Sequence, residues 1–140
     1  MINNNQQFIN YGGQKMNYAQ ILNEAHEAGM VAGSAKVPAP MVVTERANPV
    51  DDSSEVKNQW VVPSGVCGFA YVITNEHGNG KFVKYLKSIG EGRKYYYGGH
   101  YAKYVREFGQ SYEQKMAYAD AYAQVLQNYG IKAYSDGRLD

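Results

Sequence analysis

Residues 66–74, with the sequence VCGFAYVIT, are the stretch that decides the fold. They form a continuous apolar run of strand length, bounded by Pro63-Ser64-Gly65 before it and by Asn75-Glu76-His77-Gly78 after it. Because both faces of such a strand are apolar, the pattern predicts a central strand covered on both sides. A chain of 140 residues suits one domain built around it.

Two helices are predicted after this strand. Residues 79–88 place apolar side chains on one face and lysines on another, and Gly90 is positioned to close the helix. Residues 111–128 begin with the capping-box pattern S-x-x-Q, carry an apolar stripe, and are followed by Gly130 as a left-handed cap. Because the central strand and both helices need each other's apolar faces, one shared core is predicted from Phe69, Tyr71, Leu86, Val125 and Leu126.

The remaining elements complete an α+β fold. Residues 95–108 match both a helical stripe and an aromatic-rich strand, and we favour the strand because a two-stranded sheet is marginal in water. Residues 131–139 are predicted as a final strand that turns near Asp136-Gly137. The order predicts a small β-α-β-α-β domain over residues 59–140, with a three-stranded sheet and some parallel pairing, preceded over residues 1–58 by a partly disordered arm.

The predicted N-terminal arm has three parts. Residues 1–15 are rich in Asn, Gln and Gly, which is typical of a disordered tail. Residues 17–30 form a short helix, whose end is weakened by Gly29 and Gly33. Residues 36–65 contain four prolines and an acidic run, so we expect an extended linker or an arm lying over the domain.

The bulk composition narrows the classes of protein. Hydrophobic residues make up 44% and charged residues 19%, which is typical of a globular protein. The net charge is +1, so no overall electrostatic field favours binding to nucleic acid or to a membrane. Cys67 is the single cysteine, which precludes an intramolecular disulfide and fits a reducing compartment. With no signal-peptide pattern and no bilayer-length apolar run, we expect a cytoplasmic protein without a membrane partner.

The strongest functional pattern is a basic, tyrosine-interleaved segment between Lys81 and Arg106. It holds seven Lys/Arg and one acid, Glu91, with five tyrosines following Tyr85. Cations that follow phosphates beside stacking rings are what a single-stranded nucleic acid or a nucleotide needs. A solvated helix face beside a Tyr-rich core edge would produce the same pattern. The predicted binding residues are Lys81, Lys84, Lys87, Arg93, Lys94, Tyr96, Tyr97, His100, Lys103 and Arg106.

The other polar patterns each lack a residue or a spacing that a catalytic or metal site requires. The loop at residues 75–81, NEHGNGK, lacks the first glycine and the Ser/Thr of a phosphate-binding loop. Cys67 could act as a nucleophile with His100 as its base only if its thiolate were exposed. Cys67 instead lies at the start of a strand that is expected to be buried. His26 lacks a second histidine one turn away, and the acidic run at residues 51–55 lacks calcium-loop spacing. We therefore expect no catalytic residues, no metal, no cofactor and no enzymatic activity.

Several segments resemble a family of small proteins encoded by phages and prophages. The resemblance covers about residues 60–140 and is carried by Cys67-Gly68-Phe69-Ala70-Tyr71-Val72, Gly80-Lys81-Phe82-Val83-Lys84-Tyr85-Leu86, Tyr96-Tyr97-Gly98-Gly99 and Gly130-Ile131-Lys132-Ala133-Tyr134. It implies a host-cytosol setting and a role in phage takeover or counter-defence. It implies no catalytic residues.

Three functional classes follow from these patterns, and the third, a small hydrolase, ranks last because no acid/base pair supports it. The first is a small non-enzymatic protein that binds nucleic acid or a nucleotide through its basic, Tyr-rich surface. The second is a protein-interaction module, such as an inhibitor of a host or defence protein, that uses exposed tyrosines and the N-terminal arm. The sequence leaves the oligomeric state open.

Overall fold

A computed structural model describes residues 8–11, 14–95, 98 and 100–140, and within them the fold is α+β, as predicted. The helices are α1 (Tyr18–Ala35), α2 (Lys81–Ser88) and α3 (Tyr112–Asn128). The strands are β1 (Phe8–Tyr11), β2 (Gln14–Asn17), β3 (Met41–Arg46), β4 (Val56–Val62), β5 (Gly68–Thr74), β6 (Arg93–Lys94), β7 (Tyr101–Tyr104) and β8 (Ala133–Leu139).

The main sheet has four strands in the order β6-β7-β5-β8, all antiparallel to their neighbours. β5 is the central strand, as its apolar sequence predicted, and the strand favoured within residues 95–108 is β7. The predicted three-stranded sheet with parallel pairs was wrong. The crossover through α2 brings β6 back in the same direction as β5, but β7 then turns back and occupies the gap between them. A two-residue strand such as β6 is too short to produce a sequence pattern.

The last strand, β8, runs straight through the predicted turn. Its pairing with β5 is continuous from Gly68↔Leu139 to Thr74↔Ala133. A Cβ atom at Gly137 would lie 2.9 Å from Cε2 of Tyr112 on α3 and would also collide with Met116. Gly137 therefore serves the close approach of α3 to the sheet, and not a turn.

Helix α1 is part of the packed core and is longer than the predicted helix at residues 17–30. Tyr18, Ile21 and Ala25 are buried in the main core, and the Tyr18 ring lies 5.4 Å from the ring of Phe82 on α2. The helix continues through Gly29, which is itself buried. The expectation of a helix on an extended arm, outside the packed domain, was therefore wrong because α1 supplies apolar surface that α3 requires.

Much of the remaining predicted arm is also structured. Residues 8–17, most of which were assigned to a disordered tail, contain β1 and β2, paired from Phe8↔Asn17 to Tyr11↔Gln14. Residues 1–7 and 12–13 of that tail lie outside the described residues. Residues 36–65, predicted as a linker, contain β3 and β4, which pair with each other. The prolines flank these strands and the tip of their hairpin, so they do not interrupt the ladder.

The predicted helix ends are largely confirmed. The Ser111 side chain accepts a hydrogen bond from the Gln114 backbone amide at 3.3 Å, so it caps α3. The second half of the capping box does not form, because the Gln114 side chain donates to the Gly33 carbonyl of α1 instead. Gly90 and Gly130 adopt φ values of 71° and 81° after α2 and α3. These left-handed conformations are the ones that favour glycine.

The core divides into two clusters on opposite faces of the sheet. Leu86, Val125 and Leu126 are buried together between the helices and the sheet, as predicted. Tyr71 instead packs with Ile73, Tyr95 and Ala102 on the other face, and Phe69 remains 39% exposed. Successive side chains of a strand point to opposite faces, so the odd-numbered residues of β5 cannot join the helices. We call the face that carries them the open face.

Candidate functional site

The cations of the predicted binding segment lie on α2, in β6 and in and just after β7. Lys81, Lys84 and Lys87 are exposed on α2, Arg93 and Lys94 form β6, and Arg106 is exposed just after β7. His100 is also exposed, whereas Tyr96 and Tyr97 lie outside the described residues. We call the five residues Lys84, Lys87, Arg93, Lys94 and Arg106 the basic band.

On the helix side, the band converges on Tyr101. Lys94 lies directly opposite Tyr101 in the ladder, and the Lys87 ammonium lies 5.8 Å from the centre of its ring. The Tyr101 hydroxyl donates to the Gly92 carbonyl at 2.9 Å, which holds the ring against the turn before β6. Two cations from different elements are therefore brought to one anchored aromatic ring.

On the other side of the band, a groove of about 280 Å³ lies between residues 90–93 and the end of β7. The Arg93 guanidinium lies 3.9 Å above the centre of the Tyr104 ring at this groove, and Arg106 also lines it. Gly92 shapes the groove, since it adopts a φ of 77° and a Cβ atom there would lie 2.8 Å from the Ala102 carbonyl oxygen. The groove thus presents a stacked guanidinium, an aromatic ring and a second arginine together.

Lys103 lines the same groove but is neutralised within the protein. Its ammonium lies 3.3 Å from Glu91 and 3.7 Å from Glu107, and its side chain is only 18% exposed. It also lies 5.7 Å from the ring centres of Tyr118 and Tyr122. Lys103 therefore connects the groove wall to α3, and its charge is less available to a phosphate than those of the basic band.

A polar network supports the groove from behind. Nδ1 of His26 on α1 lies 2.6 Å from the Tyr118 hydroxyl, with which it is hydrogen-bonded, and 3.7 Å from the Glu107 carboxylate. Burial raises the pKa of Glu107, but hydrogen bonds from the backbone and the charge of Lys103 outweigh it, so the net pKa is lowered. Burial and the charge of Glu107 raise the pKa of Tyr118, which stays a neutral phenol. His26 is thus a structural link, although its sequence pattern suggested a solvated helix face.

Six cations of the predicted site have no acidic partner among the described residues. Among the described residues, ion pairs within 4.0 Å involve only His26, Glu91, Lys103 and Glu107. Unpaired cations keep their full attraction for an anionic ligand. The six are Lys81, Lys84, Lys87, Arg93, Lys94 and Arg106.

The open face carries a second aromatic and basic set that the sequence patterns did not reveal. The Arg138 guanidinium lies 5.2 Å from the centre of the half-exposed Phe69 ring, and Tyr134 is 43% exposed. The Tyr95 hydroxyl donates to Asp136 at 2.9 Å, and burial together with this carboxylate raises its pKa. The period-2 alternation of β5 and β8 was the available signal, since it places these residues on one face.

The other polar patterns of the sequence are explained by local hydrogen bonds. In the loop at residues 75–81, His77 accepts from the Asn79 amide at 3.0 Å, and Glu76 accepts from the Lys132 amide at 2.8 Å. Asp51 accepts from the Ser53 amide at 2.9 Å, which forms a turn. Throughout the described ranges, no three His, Cys, Asp or Glu side chains gather where they could hold a metal ion.

Comparison with known proteins does not assign the chain to a family. No family model matches the chain. No curated protein and no solved structure matches it significantly. Across the part of the chain that the structure describes, every helix is too short or too polar to traverse a lipid bilayer. The geometry of the basic band and its groove is therefore the main indication of function.

Proposed function

We propose that this protein binds single-stranded nucleic acid along the basic band. The observation that supports the proposal most strongly is the Arg93 guanidinium stacked 3.9 Å above Tyr104, beside Arg106 in one groove. A guanidinium held over the centre of an aromatic ring keeps its N–H groups available to a phosphate. The outer face of the guanidinium provides a platform on which a base stacks.

The course of the band favours a single strand over a duplex. Lys87 and Lys94 lie on the helix side of the β6 edge, whereas Arg93 lies on the open face. A ligand that contacts both groups must turn sharply around the edge of a sheet. A duplex has a persistence length of about 150 base pairs, so it resists such a turn, while a single strand follows it and stacks at about 1–3 kcal/mol per base.

The test is a salt titration of single-stranded oligonucleotide binding, measured by fluorescence anisotropy. The variant Lys84→Glu/Lys87→Glu should bind all sequences more weakly to about the same extent and lower the salt slope by about 1 per lost contact. Its matched control is Lys36→Glu/Lys57→Glu, which changes the net charge equally at two exposed lysines outside the band. Both variants should keep their stability within about 0.5 kcal/mol.

Two results would contradict the proposal. One is no binding by the unmodified protein at low salt, which would leave the band as a solvated surface. The other is an equal loss of affinity in the control variant, which would mean that only overall charge matters.

The proposal places the protein in the cytoplasm, where nucleic acid is accessible and Cys67 stays reduced. A phage or prophage origin remains a prediction of the sequence resemblance.

The alternative function is a protein-interaction module, for which the open face is the supporting observation. Phe69, Tyr134 and Arg138 are exposed there, and aromatic residues and arginine are the types enriched among residues that dominate binding energy. A host or defence protein is the partner class that the sequence resemblance favours. This alternative predicts one stoichiometric protein that co-purifies after nuclease treatment and is lost in the variant Phe69→Asp.

A further inference from the structure

The hairpin formed by β3 and β4 with residues 47–55, here called the ribbon, lacks a covering layer in the described structure. Its strands pair only with each other. Val42, Trp60 and Val61 are 53%, 49% and 57% exposed, and their positions in the register place apolar groups on both ribbon faces. A two-stranded hairpin alone is marginally stable in water, so burial against another surface would stabilise it.

The tip of the ribbon is an acidic turn that is closed by hydrogen bonds. Asp51, Asp52 and Glu55 are exposed there. The turn is closed by the Ala47 amide, which donates to the Glu55 carbonyl at 2.8 Å, and by Arg46, which donates to the Ser54 carbonyl at 2.9 Å. Three carboxylates at the tip repel phosphates, so this end of the ribbon disfavours a nucleic-acid partner.

The same chain carries a surface complementary to this tip. Lys81, Lys84 and Lys87 lie three residues apart on the exposed face of α2, and no described carboxylate lies within 4.0 Å of them. Their positions span about 9 Å along the helix axis, at about 1.5 Å per residue. The tip carries three carboxylates against these three ammonium groups, so the two surfaces are complementary in charge. The first sixty residues carry a net charge of −2 and the last eighty a net of +3, which also favours contact between unlike halves.

We propose that the partner of the ribbon is a second copy of this chain. Two copies exchange ribbons, so that the acidic tip of each lies on the α2 lysines of the other and the exposed Trp60 and Val61 become covered. An exchange of this kind produces two identical contacts about a two-fold axis, which is a closed assembly. The inference does not depend on nucleic-acid binding. Because Lys84 and Lys87 belong to both surfaces, the ribbon and a nucleic acid would compete for them, and self-association is therefore measured without nucleic acid.

Self-association is measured by sedimentation velocity on the full chain without nucleic acid. We expect a monomer–dimer equilibrium that weakens as salt rises from about 0.1 to about 1 M, since the Debye length falls from about 10 to about 3 Å. Trp60 is the single tryptophan, so its emission should shift to shorter wavelength as the protein concentration increases.

Charge reversal tests the specific contact. Asp51→Lys/Asp52→Lys and Lys84→Asp/Lys87→Asp should each raise the dimer dissociation constant at least about tenfold, because each removes ion pairs from both contacts. An equimolar mixture of the two variants should regain association through the contact in which reversed tip meets reversed helix. The control, Glu27→Lys/Asp140→Lys, reverses two exposed acids elsewhere and should keep the dimer.

The proposal is overturned if the chain stays monomeric at every concentration while the Trp60 emission is constant. It is also overturned by a dimer that survives both charge reversals, because another surface would then hold the copies together. A mixture that fails to associate, with circular dichroism showing both variants folded, overturns it as well. Trp60 burial that occurs only after a different protein is added would show that the ribbon contacts that protein and not a second copy.

Discussion

Replacing Gly29 by alanine tests how α1 packs against α3. Gly29 is buried in the middle of α1, and a Cβ atom there would lie 2.6 Å from Cδ2 and 2.7 Å from Cε2 of Tyr118. Real Cβ atoms do not approach a carbon so closely, so one side must move. Tyr118 cannot move easily, because it is fully buried and its hydroxyl is hydrogen-bonded to His26. The substitution therefore forces the two helices apart or the ring out of its rotamer.

Two effects of opposite sign decide the magnitude. Alanine is about 1 kcal/mol better than glycine inside a helix, which by itself would stabilise the protein. Overpacking a closed core costs about 1–3 kcal/mol. Because the Tyr118 ring is held both by its burial and by its hydrogen bond to His26, we expect the steric cost to exceed the gain in helix propensity. The net result should be a loss of about 1–2 kcal/mol in the free energy of unfolding.

The measurement is urea unfolding followed by circular dichroism, with the slope compared between variants to check that the folded state is unchanged. Ser34→Ala is the control, since Ser34 is exposed on the same helix and the change should stabilise the protein by at most about 0.5 kcal/mol. If Gly29→Ala stabilises the protein by about 1 kcal/mol, only the gain in helix propensity is present and there is no steric cost. That result would refute the packing of α1 on Tyr118.

Two further predictions concern the core and the polar network. Leu126→Ala should lower the free energy of unfolding by about 2–5 kcal/mol, because Leu126 is 1% exposed in the main core; a loss below about 0.5 kcal/mol in urea unfolding would contradict that burial. Glu107→Gln should destabilise the protein by about 1–2 kcal/mol near neutral pH. The folded-state pKa of Glu107 is lowered, so its stabilisation is present above its unfolded pKa and is lost as pH falls through the folded pKa. The difference between the two proteins should therefore shrink in acid, and a difference that is constant with pH would exclude the carboxylate charge as its source.

The sequence by itself determined the elements whose signals are local. The apolar run of β5, the apolar stripe of α3 and the glycine after each of α2 and α3 appear in the structure where the pattern predicted them. Strand burial, helix periodicity and left-handed caps depend on residues within one or two turns of each other, so a short window of sequence is enough to predict them. The basic segment was likewise visible as a charge pattern, and most of its described cations are exposed.

The tertiary structure decided what each of these residues contacts. Gly29 indicated a weak helix end but allows α1 to approach Tyr118, and Gly137 indicated a turn but allows α3 to approach the sheet. Lys103 was predicted as a binding residue, and the structure places its ammonium beside Glu91 and Glu107. Arg93 and Tyr104 meet only because the chain turns back from β6 into β7. These pairings depend on the order and direction of strands, which arise from burying apolar surface over the whole domain and leave no local pattern in the chain.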